Sequence, residues 1–168
     1  MRMQNIYASG RQVAEYAQDL ISGQALWFTP DEPLHDAVDA LLDNHKGAAG
    51  VLSSDNRLIG MITERQILCY LFFSKDLTPR ERMRMLFKDS DSLTVRNVMI
   101  DSPHSLSASK SIEAALSEIT NHGLRYMPVV DDRDNQRYSG VVHVQELHMA
   151  ECEKYRRQLN QKDTLLSY

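Results

Sequence analysis

The chain repeats itself, and no other feature restricts its fold as much. Leu34-His35-Asp36-Ala37-Val38, with Leu41, return as Ile112-Glu113-Ala114-Ala115-Leu116, with Ile119, at an offset of 78 positions (Leu34 to Ile112). Upstream, Ala17, Leu20 and Ile21 match Val95, Val98 and Met99; downstream, Gly50-Val51-Leu52 matches Pro128-Val129-Val130. Past the polar stretch Asp131 to Asn135 the offset becomes 80 (Gly60 to Gly140), and Arg57, Met61-Ile62 and Ile67 match Arg137, Val141-Val142 and Leu147. An insertion in a polar stretch belongs in a turn, which leaves the flanking elements in register. Each copy, at about 55 residues, buries too little surface alone, so the two are expected to pack on one another.

Both copies predict the same elements. Leu34, Ala37, Val38, Leu41 and Leu42 recur at i, i+3, i+4, i+7 and i+8, and Ile112, Ala115, Leu116 and Ile119 follow the first four positions, the apolar stripe of a helix. Asp31 and Ser109 are the cap-type residues expected to open these helices. A short apolar segment precedes each helix, Leu26 to Phe28 or His104 to Leu106. Two strand-like runs follow, Ala48 to Ser53 with Leu58 to Thr63, and Tyr126 to Asp131 with Tyr138 to His143. A last helix begins at Glu64 or Val144. The predicted fold class is α/β (α+β), two β-α-β-β-α units with extra terminal helices. The expected division is an N-terminal helix within 1–16, a first repeat over 17–73, a connector over 74–92, a second repeat over 93–150, and a C-terminal helix and tail over 151–168. The N-terminal helix is read across Ser9 to Ser22 from a Ser9/Gln12 capping box, and the connector helix from Thr78-Pro79-Arg80-Glu81.

Composition closes off several classes. The two cysteines, Cys69 and Cys152, form no CxxC pair, which fits a reducing compartment, and the cytoplasm is the expected location. The longest apolar run is the stretch Ile67 to Phe73, far short of the roughly 18 residues a membrane span needs. A net charge of −4 gives no general attraction to nucleic acid. The cationic run Arg80, Arg82, Arg84 and Lys88 reads as a solvated helix face, and no interleaved aromatics suggest a single-strand binder.

Taken together, Val95-x-x-Val98-Met99, Ile112-x-x-Ala115-Leu116, Tyr126-Met127-Pro128-Val129-Val130-Asp131 and Gly60-Met61-Ile62-Thr63-Glu64-Arg65 resemble a tandem pair of CBS domains, the arrangement called a Bateman module. The resemblance covers residues 17–73 and 93–150. It implies two copies packed through their sheets about a pseudo-two-fold axis, with clefts that can bind adenine nucleotides, and a regulatory role without catalysis. A homodimer and an effector protein of unknown identity are the implied partners, beside the nucleotide itself. No resident cofactor and no metal are implied beyond a bound AMP, ADP or ATP.

Ligand chemistry in such proteins turns on Gly-x-x-Thr-x-x-Asp at the start of each copy's last helix. A hydroxyl and a carboxylate one turn apart can meet a ribose, and the helix N-terminus favours phosphate. Here the second copy has Gly140, His143 and Glu146, which keeps an acid, and the first has Gly60, Thr63 and Gln66, which keeps the hydroxyl. The cleft using Glu146 ranks first, with Arg125, Tyr126, Met127 and Pro128 as its expected walls. The weaker cleft would use Thr63, Arg65 and Gln66 with Ala48, Ala49 and Gly50. Arg125 and Arg65 are the candidates for phosphate oxygens.

Structural readings stand beside these. Thr63-Glu64-Arg65-Gln66 is also a capping box, and a first-turn Glu146 is favoured by the helix dipole without any ligand. His143, Glu146 and nearby His148 make an incomplete metal set, and His35, His45, His104 and His122 read as solvated. Two functions follow: a non-catalytic sensor of an adenosine-containing ligand, or a structural dimerisation protein that keeps the fold and has lost the ligand. An enzyme using His143 and Glu146 lacks a nucleophile.

Overall fold

A computed structural model describes residues 14–21, 24–73, 77–88, 93–132 and 137–165, with side chains at 88 and 161–165 left aside. Two sheets carry the repeat. The first has strands in the order β1 (Trp27–Phe28), β2 (Ala48–Leu52), β3 (Leu58–Thr63) and β4 (Ile100–Asp101); the second has β5 (Leu106–Ser107), β6 (Tyr126–Val130) and β7 (Tyr138–His143). β1 runs parallel to β2, and β2 antiparallel to β3 with Val51 opposite Gly60. In the second copy β5 runs parallel to β6, and Val129 faces Gly140. Each antiparallel pair has an irregularity at the matching place, Val51/Leu52 and Val129/Val130, so the repeat extends to a local defect.

The helices are α1 (Leu34–Asp43), α2 (Glu64–Phe73), α3 (Pro79–Lys88), α4 (Ile112–Asn121) and α5 (Val144–Leu165). The apolar stripes are largely as expected, with Leu34, Ala37 and Leu41 buried on α1 and Ile112, Ala115 and Ile119 on α4, but Leu42, expected on the α1 stripe, is 66% exposed. α3 starts at Pro79, where Thr78 and Glu81 exchange bonds, the Thr78 N–H donating to the carboxylate at 2.8 Å and the Glu81 N–H to the Thr78 hydroxyl at 3.3 Å. α5 continues the second repeat's last helix into the C-terminal stretch without a break.

Several expectations need correcting. The capping residues are Pro33 and Ser111, not Asp31 and Ser109. Asp31 instead pairs with Arg96 at 3.0 Å, and the Ser109 N–H donates to Asp132 at 3.2 Å. Of the helix read across Ser9 to Ser22, residues 9–13 and 22 lie outside the described residues. Ala14–Tyr16 are not helical, and only Ala17–Leu20 form a short 3-10 turn. Arg82 is not on a solvated face: it is 2% exposed, and its Nε donates to the Leu71 carbonyl at 3.1 Å, closing the C-terminal end of α2.

The two lead-in segments are exchanged between copies. Ala17 lies in the second copy's core with Leu106, Ile112 and Met127, its N–H donating to the Lys110 carbonyl at 2.8 Å. Val95 lies in the first copy's core with Leu34, Val51 and Ile62, its N–H donating to the Glu32 carbonyl at 2.9 Å. The bridges Tyr16 to Ser111 and Pro33 to Thr94 are images of one another under the repeat offset. Arg57 bridges Arg137, its own counterpart, which marks the pseudo-two-fold axis.

Candidate functional site

The exchange creates a cavity of ≈ 350 Å³ with walls from both copies. The second copy supplies Gly140, Val141 and His143 from β7, and Gln145 and Glu146 from the first turn of α5. The first copy supplies Leu20 and Ile21 from its exchanged lead-in, Gln24 to Leu26 before β1, His45 to Gly47 between α1 and β2, and Ala48 at the start of β2. Tyr126 and Tyr138 complete the lining. A Cβ on Gly140 would lie 2.8 Å from Ile21, and one on Gly60 would lie 3.0 Å from the Met99 sulfur. The motif glycines are therefore where each copy receives the other's lead-in.

At the start of α5 a histidine does the work of a capping hydroxyl. The Gln145 N–H donates to His143 Nδ1 at 3.1 Å, and the His143 N–H donates to Glu146 Oε2 at 2.9 Å. Acceptance at Nδ1 puts the proton of the neutral ring on Nε2, the atom left to a ligand. In the first copy the Gln66 N–H donates to the Thr63 hydroxyl at 3.2 Å, and Thr63 is buried.

The tyrosines fasten the copies together. Tyr126 reaches across from β6 to lie against Gly47, where a Cβ would sit 2.0 Å from its hydroxyl oxygen. That hydroxyl is 3.5 Å from Glu64. Its ring is 4.7 Å from that of His143, at 53°. Burial, and then the Glu64 carboxylate, raise the Tyr126 pKa above the usual phenol value. Tyr138 accepts from the Gly50 N–H at 3.0 Å and donates to the Leu26 carbonyl at 2.9 Å. Burial pushes its pKa up to about 12, the Gly50 N–H opposing this. A Cβ on Gly50 would lie 2.7 Å from the Tyr138 ring. At the matching positions the other copy has Pro128, which has no N–H, and Leu58, which has no hydroxyl, so no such link is needed there.

The structure thus gathers some of the expected residues and separates others. Tyr126, His143 and Glu146 line the cavity, and Arg125, Met127 and Pro128 do not. Met127 and Pro128 are buried in β6, and the Arg125 side chain is exposed. Ala48, assigned to the first-repeat cleft, lines the cavity with Glu146 instead; Ala49 lies in the first core, and Gly50 lies under Tyr138. These shifts share one cause: β2 of the first copy packs against β7 of the second, so a strand wall serves the other copy's motif. Arg65 and Gln66 lie in the first turn of α2, outside this lining. Lys46, Gln24, Gln145 and Tyr138 were not singled out as site residues by the sequence, and His45 was read as merely solvated, because only the exchange brings them together. Among the described residues no group of three or more His, Cys, Asp or Glu side chains is placed to hold a metal, and no helix is long and apolar enough to cross a membrane.

A family model described as CBS domain matches residues 17–72 and again 95–151. The chain is similar to the CBS domain-containing protein CBSX3, mitochondrial, of Arabidopsis thaliana, at 25% identity over 139 residues, 82% of this chain. It spans about three fifths (61%) of that relative's length. Among solved structures, CBSX2 in complex with AMP superposes with a TM-score of 0.64 at 17% identity, covering 83% of this chain and 98% of that one. CBSX2 is also an Arabidopsis thaliana protein. The CBS domain pair of MJ0100 in complex with 5′-methylthioadenosine and S-adenosyl-L-methionine superposes with a TM-score of 0.63 at 15% identity, covering 84% and 98%.

Proposed function

The chain belongs to the CBS-domain family as a tandem pair, and from that premise we propose that it is a non-catalytic regulatory module that senses an adenosine-containing ligand, AMP, ADP, ATP or a close analogue. The observation that carries the reading is the cavity itself, walled by both copies and headed by the first turn of α5. CBSX2 with AMP and the MJ0100 pair with two adenosine compounds lend support from proteins of the same fold. Residues 17–73 and 93–150 are the working repeats, joined by a connector over 74–92. Tyr126, His143 and Glu146 are the proposed contacts in the cavity. Thr63, Arg65 and Gln66 belong to a secondary cleft.

A ligand bridging both walls binds one arrangement of the copies better than another, and only that difference moves an equilibrium. The listener is an effector protein or a second copy of the chain. Leu68, Phe72 and Phe73 on α2 and Met149 on α5 are exposed apolar residues on the two copies' matching last helices, which supports a homodimer. The two free cysteines favour a reducing compartment, for which the cytoplasm is our proposal; fractionation checks it, since the Arabidopsis relative is named as mitochondrial.

The test is a thermal-shift panel of AMP, ADP, ATP, S-adenosylmethionine and cyclic dinucleotides. A ligand at 100-fold its Kd adds about 2.7 kcal/mol, a shift of several degrees. Glu146→Ala is expected to abolish that shift. No response to any compound, with a dimer in ultracentrifugation, would favour the structural interaction protein instead. The local capping by His143 and Glu146 supports this second reading, because it gives His143 Nδ1 and Glu146 Oε2 a structural role without a ligand.

A further inference from the structure

We propose that the cavity takes an adenosine carrying a single phosphate, and that His45 and Lys46 are the groups facing that phosphate; the inference rests on the ligand-sensing reading above. Arg65 and Arg125, the cations the motif suggested, are absent from the lining, and His45 and Lys46 are present in it. They come from the first copy, whereas His143 and Glu146 come from the second, so a ligand held at its ribose by one copy meets the Lys46 ammonium and the His45 imidazole of the other.

The end of α1 does not itself require these side chains. The His45 N–H donates to the Leu42 carbonyl at 3.1 Å and the Lys46 N–H to the Leu41 carbonyl at 2.9 Å. In α4 the N–H groups of Gly123 and Leu124 close the helix in the same way, onto Thr120 and Ile119, both at 3.0 Å. A helix C-terminus favours a nearby cation, yet the matching turn in α4 carries glycine and leucine. His45 moreover holds φ at 51°, where its counterpart Gly123 holds 62°. A side chain kept in the left-handed region, where glycine would sit without strain, is a recurrent mark of a functional wall.

Size and charge then limit the ligand. A volume of ≈ 350 Å³ lies near the bottom of the roughly 300–1,000 Å³ usual for small-molecule sites. Among the described residues Lys46 is the one Lys or Arg in the lining and Glu146 the one carboxylate. Such a balance suits one phosphate; a triphosphate would bring far more negative charge than a single ammonium and two imidazoles can meet, beside a carboxylate that repels it.

Calorimetric titration of the intact chain with adenosine, AMP, ADP, ATP and S-adenosylmethionine decides the matter. AMP is expected to bind at least about tenfold tighter than adenosine, the effect of one good charge-assisted contact, and ADP and ATP no tighter than AMP. The double variant His45→Gly, Lys46→Leu copies the turn that α4 already uses, so it is compatible with the fold. It should lower AMP to the affinity of adenosine and leave adenosine unchanged. Equal binding of adenosine and AMP, tighter binding of ATP or S-adenosylmethionine, or an AMP preference that survives in the double variant overturns the inference while leaving a ligand site in place. Absence of binding by every compound removes the ligand-sensing reading with it.

Discussion

One phenol hydroxyl ties the start of β1 to β2 and both to the opposite copy, through bonds to the Leu26 carbonyl and the Gly50 N–H. Tyr138→Phe strands both groups in a half-buried seam and is expected to cost about 1–3 kcal/mol, read as a lower denaturation midpoint with unchanged slope. The same phenol carries a pH signature. Its folded pKa of about 12 exceeds the ordinary 10.0, so the protein binds its proton more tightly when folded. The stabilisation is complete below pH 10 and is lost as the pH rises through 12. Melting temperatures of the wild type should therefore fall more steeply between pH 10 and 12 than those of Tyr138→Phe; parallel curves would contradict the assignment. At His45 the residue-scale prediction has the opposite sign. His45→Gly relieves the left-handed backbone and should raise stability by up to about 1 kcal/mol in thermal melts.

At the scale of elements, α3 separates what its sequence reveals from what it conceals. Its start at Pro79 and its Thr78/Glu81 cap are local and readable, because the four residues 78–81 contain all the partners. The cap has a titration consequence: bonds from Thr78 hold the Glu81 carboxyl below its ordinary 4.5, so its small stabilisation, present above that value, fades as the pH falls through the lowered one. Carbon-detected titration of Glu81 should give a midpoint below 4.5, returning toward it in Thr78→Ala. The role of Arg82 was concealed, because an arginine among arginines resembles a solvated face and only the placement of α2 supplies the Leu71 and Leu77 carbonyls it meets. Arg82→Ala is expected to cost roughly 2–3 kcal/mol, against about 0.5 or less for exposed Arg80 and Arg84, in parallel denaturation curves. The cap positions were misjudged for a related reason: Asp31 and Ser109 had side chains fit to cap, but the Asp31 carboxylate pairs with Arg96 and the Ser109 hydroxyl lies 3.1 Å from that of Ser107.

For the whole molecule, the repeat offset revealed two like copies and the two paired strands of each nearly to the residue, because hydrophobic period is local; it missed β4 (Ile100–Asp101) and placed the strand of Leu106–Ser107 two residues early. It did not reveal that Ala17 completes the second core and Val95 the first, since the two segments are alike in composition and either docking satisfies the pattern. That exchange also explains why the motif residues were legible and half of the cavity wall was not. A chain ending at residue 92 lacks Leu93, Val95 and Val98 from its own core, and should show no cooperative thermal transition by circular dichroism. The central claim is that a small adenosine ligand sits between the copies at the head of α5. Amide chemical-shift mapping of the intact chain during AMP titration tests it most directly. Perturbations concentrated at Gln24 to Leu26, His45 to Ala48 and His143 to Glu146, saturating at one AMP per chain, are the result predicted. Spectra that stay unchanged, or shifts confined to the exposed faces of α2 and α5, would contradict it.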